Sequence, residues 1–365
     1  MGSSTTTCCG RGTSPHSDKT CARTRRGGSL VFESRPGAVG SPPQHFGNPL
    51  GEQKALLTGA VVDLSDRAII TITGPDRLTW LDSLTSQAVS NMAPGESAET
   101  LLLDPTGRIE HAIRLVDDGA TAWLLVDGTE GAALAAWLDR MRFMLRVEVA
   151  DVSAEFATLG VLGAASFEAV ATWVDPWVAG PGHTYAASRP DAPWDYRELI
   201  VPRTFAYDGP VAGTLALDAL RIAAWRPRMT DADEKTIPHE LDWLRSAVHL
   251  NKGCYRGQET VAKVHNLGHP PRRLVLLHLD GTVPAVGAEV LRGEDVVGRV
   301  TSAALHWDLG PIALAVIKRN VDPTLDLVVT TDDGVVAAAQ EVIVPTDAGA
   351  SANIPRIPRL GAVTR

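Results

Sequence analysis

Asn251-Lys252-Gly253-Cys254-Tyr255-Arg256-Gly257-Gln258-Glu259-Thr260 is the stretch on which the reading of this chain turns. A helical pattern stops before it, two glycines bracket a cysteine, and a polar run follows. Gly253 and Gly257 permit backbone conformations closed to other residues. Cys254 is the only cysteine beyond residue 21, with Lys252 and Arg256 two residues to either side. If a helix opens at Gln258, its positive end also lies near the sulfur, and both effects favour thiolate over thiol. The alternative is a free cysteine buried in a structural loop, a common fate for a lone thiol.

Downstream of Pro270-Pro271 the pattern becomes one of short strands at 274–279, 289–291, 296–302, 312–317, 327–330 and 341–344, separated by Gly, Pro and Asp turns. That spacing predicts a small β-barrel over 271–346, followed by a tail at 347–365. Upstream, Pro238 and the stripe Leu241, Leu244, Val248 predict a helix over 238–250. A second helix is expected over 214–225, with Leu217, Leu220 and Ala224 on its apolar side and Arg221 beside them. Together with strands at 147–149, 158–161 and 198–201 and a helix over 165–173, these make a second segment, 146–270. A first segment, 58–145, holds strands at 60–64, 68–72, 101–103, 109–116 and 123–126. Its helices are centred on Leu78, Leu81 and Leu84 and on 131–144. Strand and helix mix without strict alternation, so both segments read as α+β.

The 365 residues are 44% hydrophobic and carry a net charge of -9, which argues against holding nucleic acid through phosphate neutralisation. No apolar run reaches the roughly 18 residues that cross a bilayer, so no membrane association is expected and the chain reads as cytoplasmic. Residues 1–55 hold seven basic and three acidic side chains. Rich in Gly, Ser, Thr, Pro and Arg, residues 1–57 read as a disordered basic tail. Thr24-Arg25-Arg26 lacks the apolar run of an export signal. Cys8, Cys9 and Cys21 have no histidine at a zinc-finger spacing.

Lys252-Gly253-Cys254-Tyr255-Arg256-Gly257-Gln258-Glu259 resembles the signature of the YgfZ family. These are folate-binding proteins related to the T-protein (aminomethyltransferase) of the glycine cleavage system; they assist maturation or repair of iron–sulfur enzymes and are tied to tRNA modification. The resemblance also covers Asp63-Leu64-Ser65, Gly74-Pro75-Asp76-Arg77, Leu102-Leu103-Asp104-Pro105 with Gly107-Arg108-Ile109, Leu220-Arg221-Ile222 and Val297-Gly298 with Val300-Thr301-Ser302, and spans about 58–345. It implies two α+β domains and a C-terminal β-barrel arranged as a clover around a folate-sized cavity. It also implies tetrahydrofolate as ligand and iron–sulfur proteins as clients. Cys254 would be the working thiol, and Arg221, Lys252, Tyr255, Arg256, Gly257, Gln258 and Glu259 would line the folate.

The chain departs from the T-protein at two acidic positions, where it has about His111 and Ala223. A folate-dependent one-carbon transferase and a docking scaffold without a small-molecule ligand therefore stand as alternatives. Asp231, Asp233, Glu234, Glu240 or Glu259 could take over the hydrogen bonds to the pteridine, and Arg221, Lys252, Arg256, Arg272 or Arg273 could meet the anionic tail of folate. No metal site is expected. His239 and His249 would stand about 80° apart on one helix, three turns distant, and a single cysteine cannot hold an iron–sulfur cluster. Oligomeric state is not legible.

Overall fold

The computed structural model describes residues 32–186 and 192–352. The expected disorder of residues 1–31, and the readings of Cys8, Cys9 and Cys21, lie outside the described residues.

α1 (Pro49–Leu56) leads into β1 (Val61–Asp63), β2 (Ala68–Thr73), α2 (Arg77–Leu84), β3 (Ser97–Leu103), β4 (Ile109–Asp117), β5 (Thr121–Val126) and α3 (Gly128–Met141). β6 (Glu148–Asp151), β7 (Phe156–Leu162), β8 (Ala171–Val174), β9 (Tyr196–Pro202), β10 (Val211–Ala212) and α4 (Thr214–Ala223) follow. The last elements among the described residues are α5 (Gln258–Leu267), β11 (Arg272–Leu279), β12 (Glu289–Arg292), β13 (Asp295–His306), β14 (Gly310–Lys318), β15 (Leu327–Thr331) and β16 (Gly334–Val342).

The strands form one sheet in the order β3-β4-β5-β2-β6, a second in the order β10-β1-β7-β9-β8, and a closed barrel β11-β14-β13-β12-β15-β16. This is the α+β class with a C-terminal barrel. The first sheet is antiparallel throughout, and the second has one parallel pair, β1 with β10. β1 belongs to the second sheet although its residues precede all of the first, so the second sheet takes one strand from the 58–145 segment and the rest from 146–270. α2 and α3 cover one face of the first sheet, where Leu134 and Leu138, one turn apart, are fully buried. Each such leucine contributes about 2 kcal/mol. The opposite face packs, through Leu101, Leu103 and Leu125, into a core shared with the second sheet, α4 and the barrel wall.

Three expectations are corrected. Residues 32–57 are built into the fold. The Pro43 and Gln44 carbonyls accept from Thr214 and Leu215 N–H at the start of α4. Buried Glu52 accepts from Phe46, Asn48 and Gly213 N–H. A helix start needs acceptors for its first amides; here they come from a distant polar segment, a pairing that local composition does not reveal. Second, residues 238–250 form a short 3-10 turn, Pro238–Leu241, and not a helix. Asp242 stands in the left-handed region (φ 56), its carboxylate accepting from Tyr185 N–H and pairing with Arg245. Those contacts outweigh the helical period, and the histidine-spacing argument that rested on a helix lapses with it. Third, 165–173 is not helical; Ala171–Val174 is a strand on β9.

No helix among the described residues is long and apolar enough to cross a membrane.

Candidate functional site

β9 carries the sequence Tyr196-Arg197-Glu198-Leu199-Ile200, which places Tyr196, Glu198 and Ile200 on one face of the strand. Glu198 is fully buried. Its Oε1 takes Arg67 Nη2 at 3.0 Å, Arg114 Nε at 3.2 Å and the Tyr196 hydroxyl at 2.9 Å. Its Oε2 has no hydrogen-bond partner, nor has Arg67 Nε. A buried carboxylate oxygen left without a donor is costly unless a ligand or water meets it.

Arg67, Arg114 and Tyr196 line a hollow of about 640 Å³, which lies within the range of small-molecule sites. The two sheets, α4 and the segment 41–44 enclose it. Trp194 stacks on Tyr196 with ring centroids 4.8 Å apart. Arg67 Nη1 also holds Asp127 at 2.7 Å. Burial pushes the Asp127 carboxyl up, but Arg67 and Arg114 outweigh it and hold the group below the usual carboxylate range. Burial, then Glu198, pushes the Tyr196 phenol well above its ordinary value.

Behind this wall Arg226 sits between two buried carboxylates, Glu99 Oε1 at 2.8 Å and Asp175 Oδ2 at 2.9 Å. Burial alone would lower the guanidinium, but Asp175 and Glu99 raise it. Asp175 also accepts from Trp194 Nε1 at 2.8 Å, which fixes the indole facing the hollow. Arg228, half-exposed at the same hollow, pairs with Asp218 at 3.0 Å.

Of the eight residues expected at the site, only Arg221 lines this hollow. Its guanidinium is committed to Asp231 at 2.9 Å and Ser302 Oγ at 2.7 Å, which ties α4 to the barrel. The barrel otherwise contributes no residue to the lining. Asp233 and Glu240 are both paired with Arg272, and Arg273 is buried at the barrel.

The other seven form a separate structure on the first sheet's side. Lys252 Nζ donates to the Thr85 and Gln87 carbonyls at 2.8 and 2.7 Å and to the Asp82 carbonyl, closing the end of α2. Burial pushes the Lys252 ammonium below its ordinary value. Tyr255 is buried, which raises its phenol to about 12. Arg256 pairs with Glu110 and lies over the Trp137 ring at 5.7 Å. Both cations flanking the cysteine are thus engaged elsewhere. Gln258 opens α5 as expected and donates back to the Lys252 carbonyl at 3.3 Å. Glu259 and Cys254 are exposed, and Cys254 is a free thiol. Gly257 (φ +83) faces Gly107 (φ +82) of the β3–β4 turn; a Cβ on Gly257 would lie 2.6 Å from the Asp104 carbonyl oxygen. Two glycine-bearing motifs far apart in sequence therefore interlock.

Gly257→Ala is expected to cost about 3 kcal/mol, combining left-handed backbone strain with the clash. Urea unfolding measures the loss, and faster reaction of Cys254 with a thiol reagent would report the loosened loop. Unchanged stability would contradict the interlock.

His111 lies 3.5 Å from Glu130 of α3 and does not line the hollow. Ala223 is buried in the core. Among the described residues, no group of three or more His, Cys, Asp or Glu is placed to hold a metal ion. Glu198 was missed in the sequence, although a glutamate flanked by Tyr196 and Ile200 on the apolar face of a strand is a signal, because charged residues are almost never fully buried unless paired.

Residues 50–189 match the family described as the GCVT N-terminal domain. The aminomethyltransferase of Nostoc sp. is 26% identical over 76% of this chain and 82% of its own length. The tRNA-modifying protein YgfZ of Vibrio vulnificus is 26% identical over 75% and 89%. The mitochondrial iron–sulfur cluster assembly factor IBA57 homolog of Chaetomium globosum is 24% identical over 72% of this chain. The chain spans 65% of that protein's length, and likewise 65% of a chloroplastic relative in Arabidopsis thaliana. The crystal structure of glycine cleavage system aminomethyltransferase T from Bartonella henselae shares the fold, with a TM-score of 0.65 at 19% identity over 83% of this chain and 91% of that one. Residues 50–189 thus match the GCVT N-terminal domain, and the chain as a whole is similar to YgfZ and to the aminomethyltransferases.

Proposed function

We propose that this protein binds tetrahydrofolate in the hollow and serves as an accessory factor in the maturation or repair of iron–sulfur proteins, using Cys254. The observation that carries the ligand assignment is the unpartnered Oε2 of buried Glu198 behind that wall. A pterin presents an amino group and a ring N–H side by side, the donors such a carboxylate lacks. Tyr196 and Trp194 offer a flat aromatic surface, and Arg228 is the half-exposed cation for a carboxylate tail. Bound folate would supply the one-carbon or redox chemistry of its pteridine. The protein's own part is to fix orientation through Glu198, which Arg67 and Arg114 hold in place.

The role of Cys254 rests on its exposure and on a loop fixed by Lys252, Arg256 and Gly257. An exposed thiol on a rigid loop can meet a client's cluster or disulfide without passing through the hollow. Relatives named as an iron–sulfur assembly factor and as YgfZ support this reading. Cys254→Ala is expected to fail to restore iron–sulfur enzyme activity in cells lacking the native protein, while leaving stability unchanged. Full restoration would remove the thiol from the account.

Relatives named aminomethyltransferase favour one-carbon transfer as a second reading. Turnover of an aminomethyl donor by the purified protein would establish it.

A further inference from the structure

Three histidines meet at a seam outside the lining of the hollow. His183 belongs to the segment after β8, His239 to the 3-10 turn Pro238–Leu241, and His265 to the last turn of α5. The His183 ring meets His265 edge-on at 4.8 Å and Tyr185 at 5.0 Å. His239 is completely buried, and neither of its ring nitrogens has a hydrogen-bond partner; His265 Nδ1 and the Tyr185 hydroxyl are also without one.

We propose that this seam is an acid-opened latch, in which neutral imidazoles hold the 182–186 segment and the 238–241 turn against α5, the helix that follows the cysteine loop.

The charges around the seam give the latch its sign. Burial, then the neighbouring His265, depress His239 to about 3; the Val261 backbone works the other way, and His183 adds a smaller depression. Burial depresses His265 and His183 as well, and His183 adds to the effect on His265. No carboxylate is among the groups acting on these three rings. Glu240, on the same turn as His239, is held by Arg272. Asp242 and Arg245 pair with each other and anchor the segment by accepting from Tyr185 N–H and from the Gly182 N–H at the Arg245 carbonyl. His269, beyond α5, bonds the Ala348 carbonyl.

A histidine whose value is depressed in the fold stabilises the closed state above its unfolded value near 6.5 and loses that contribution as pH falls. For His239 alone, opening should rise about thirtyfold between pH 7.5 and 5.0. Asp242 opposes this: burial raises its carboxyl to about 6, so its protonation favours the closed state as pH falls. It offsets about tenfold over the same span. The two leave at least about a threefold net opening, to which His183 and His265 add.

Hydrogen exchange on the full chain at pH 7.5 and 5.0, corrected for intrinsic exchange, tests the latch. Peptides covering 179–186 and 258–267 should lose protection at pH 5.0 by threefold or more in the wild type and by about thirtyfold in Asp242→Asn. Peptides from the barrel should not change. His239→Gln should flatten the dependence, and His183→Gln, at a half-buried position, should reduce it should the first variant fail to fold. Equal protection at both pH values in wild type and Asp242→Asn, parallel loss in the barrel, or an unaltered dependence in the histidine variants would overturn the proposal.

Discussion

Replacing Arg226 with methionine is expected to remove about 4 kcal/mol of stability, the cost of stranding buried charge by deleting one partner. The guanidinium neutralises Glu99 and Asp175, whose side chains are only 3% and 1% exposed. Glu99 is also held by Trp243 Nε1 and Ser246 Oγ, and Asp175 by Trp194 and the Trp177 backbone. Arg226 therefore joins the first sheet, the 175–177 segment and the 243–246 turn at one point. A domain holds about 5–15 kcal/mol in all, so this single change should bring it near unfolding at 37 °C. Equilibrium urea denaturation measures the loss. Adding Glu99→Gln to Arg226→Met should recover part of it, because one of the two stranded charges is then gone. A loss below about 1 kcal/mol would mean that water reaches these carboxylates and that the network is not dry.

Glu198→Gln should abolish measurable tetrahydrofolate binding. The substitution keeps the side-chain volume but replaces a charge-assisted acceptor with an amide, one end of which is a donor that repels the pterin N–H groups. Hydrogen bonds to charged groups contribute about 1.5–3 kcal/mol each, so two together predict at least a hundredfold weaker affinity. Stability should fall less than in the Arg226 variant, because Asp127 still faces Arg67 and Arg114. Calorimetric titration with circular dichroism as a control separates the two effects. An affinity within threefold of wild type would move the ligand away from Glu198.

Much of the architecture was legible because it is written in local pattern. Five of the six barrel strands overlie apolar runs that the sequence marks off with turn residues, whereas β16 (Gly334–Val342) begins seven residues before the strand expected at 341–344; α3 and α4 follow apolar spacing. What was not legible depends on partners distant in sequence. The 43–44 carbonyls that cap α4, the Glu52 carboxylate that gathers three amides, and Asp242 in its left-handed turn each replace a local preference with a tertiary hydrogen bond. The same holds for the site. The cysteine loop was found because glycines and a lone cysteine stand out in a sequence. The hollow was not, because Arg67, Arg114, Asp127 and Tyr196, and Glu198 behind them, are scattered over 132 positions, and only the sheet topology assembles them. Sequence proximity to Cys254 suggests one composite site; the fold separates the hollow from the cysteine loop.

That separation is what a paired titration tests most directly. Tetrahydrofolate added to the Cys254→Ala protein should give the same saturable one-to-one heat as wild type, and added to Glu198→Gln it should give none. Loss of binding in Cys254→Ala, or its retention in Glu198→Gln, would contradict the division of labour between the hollow and the loop.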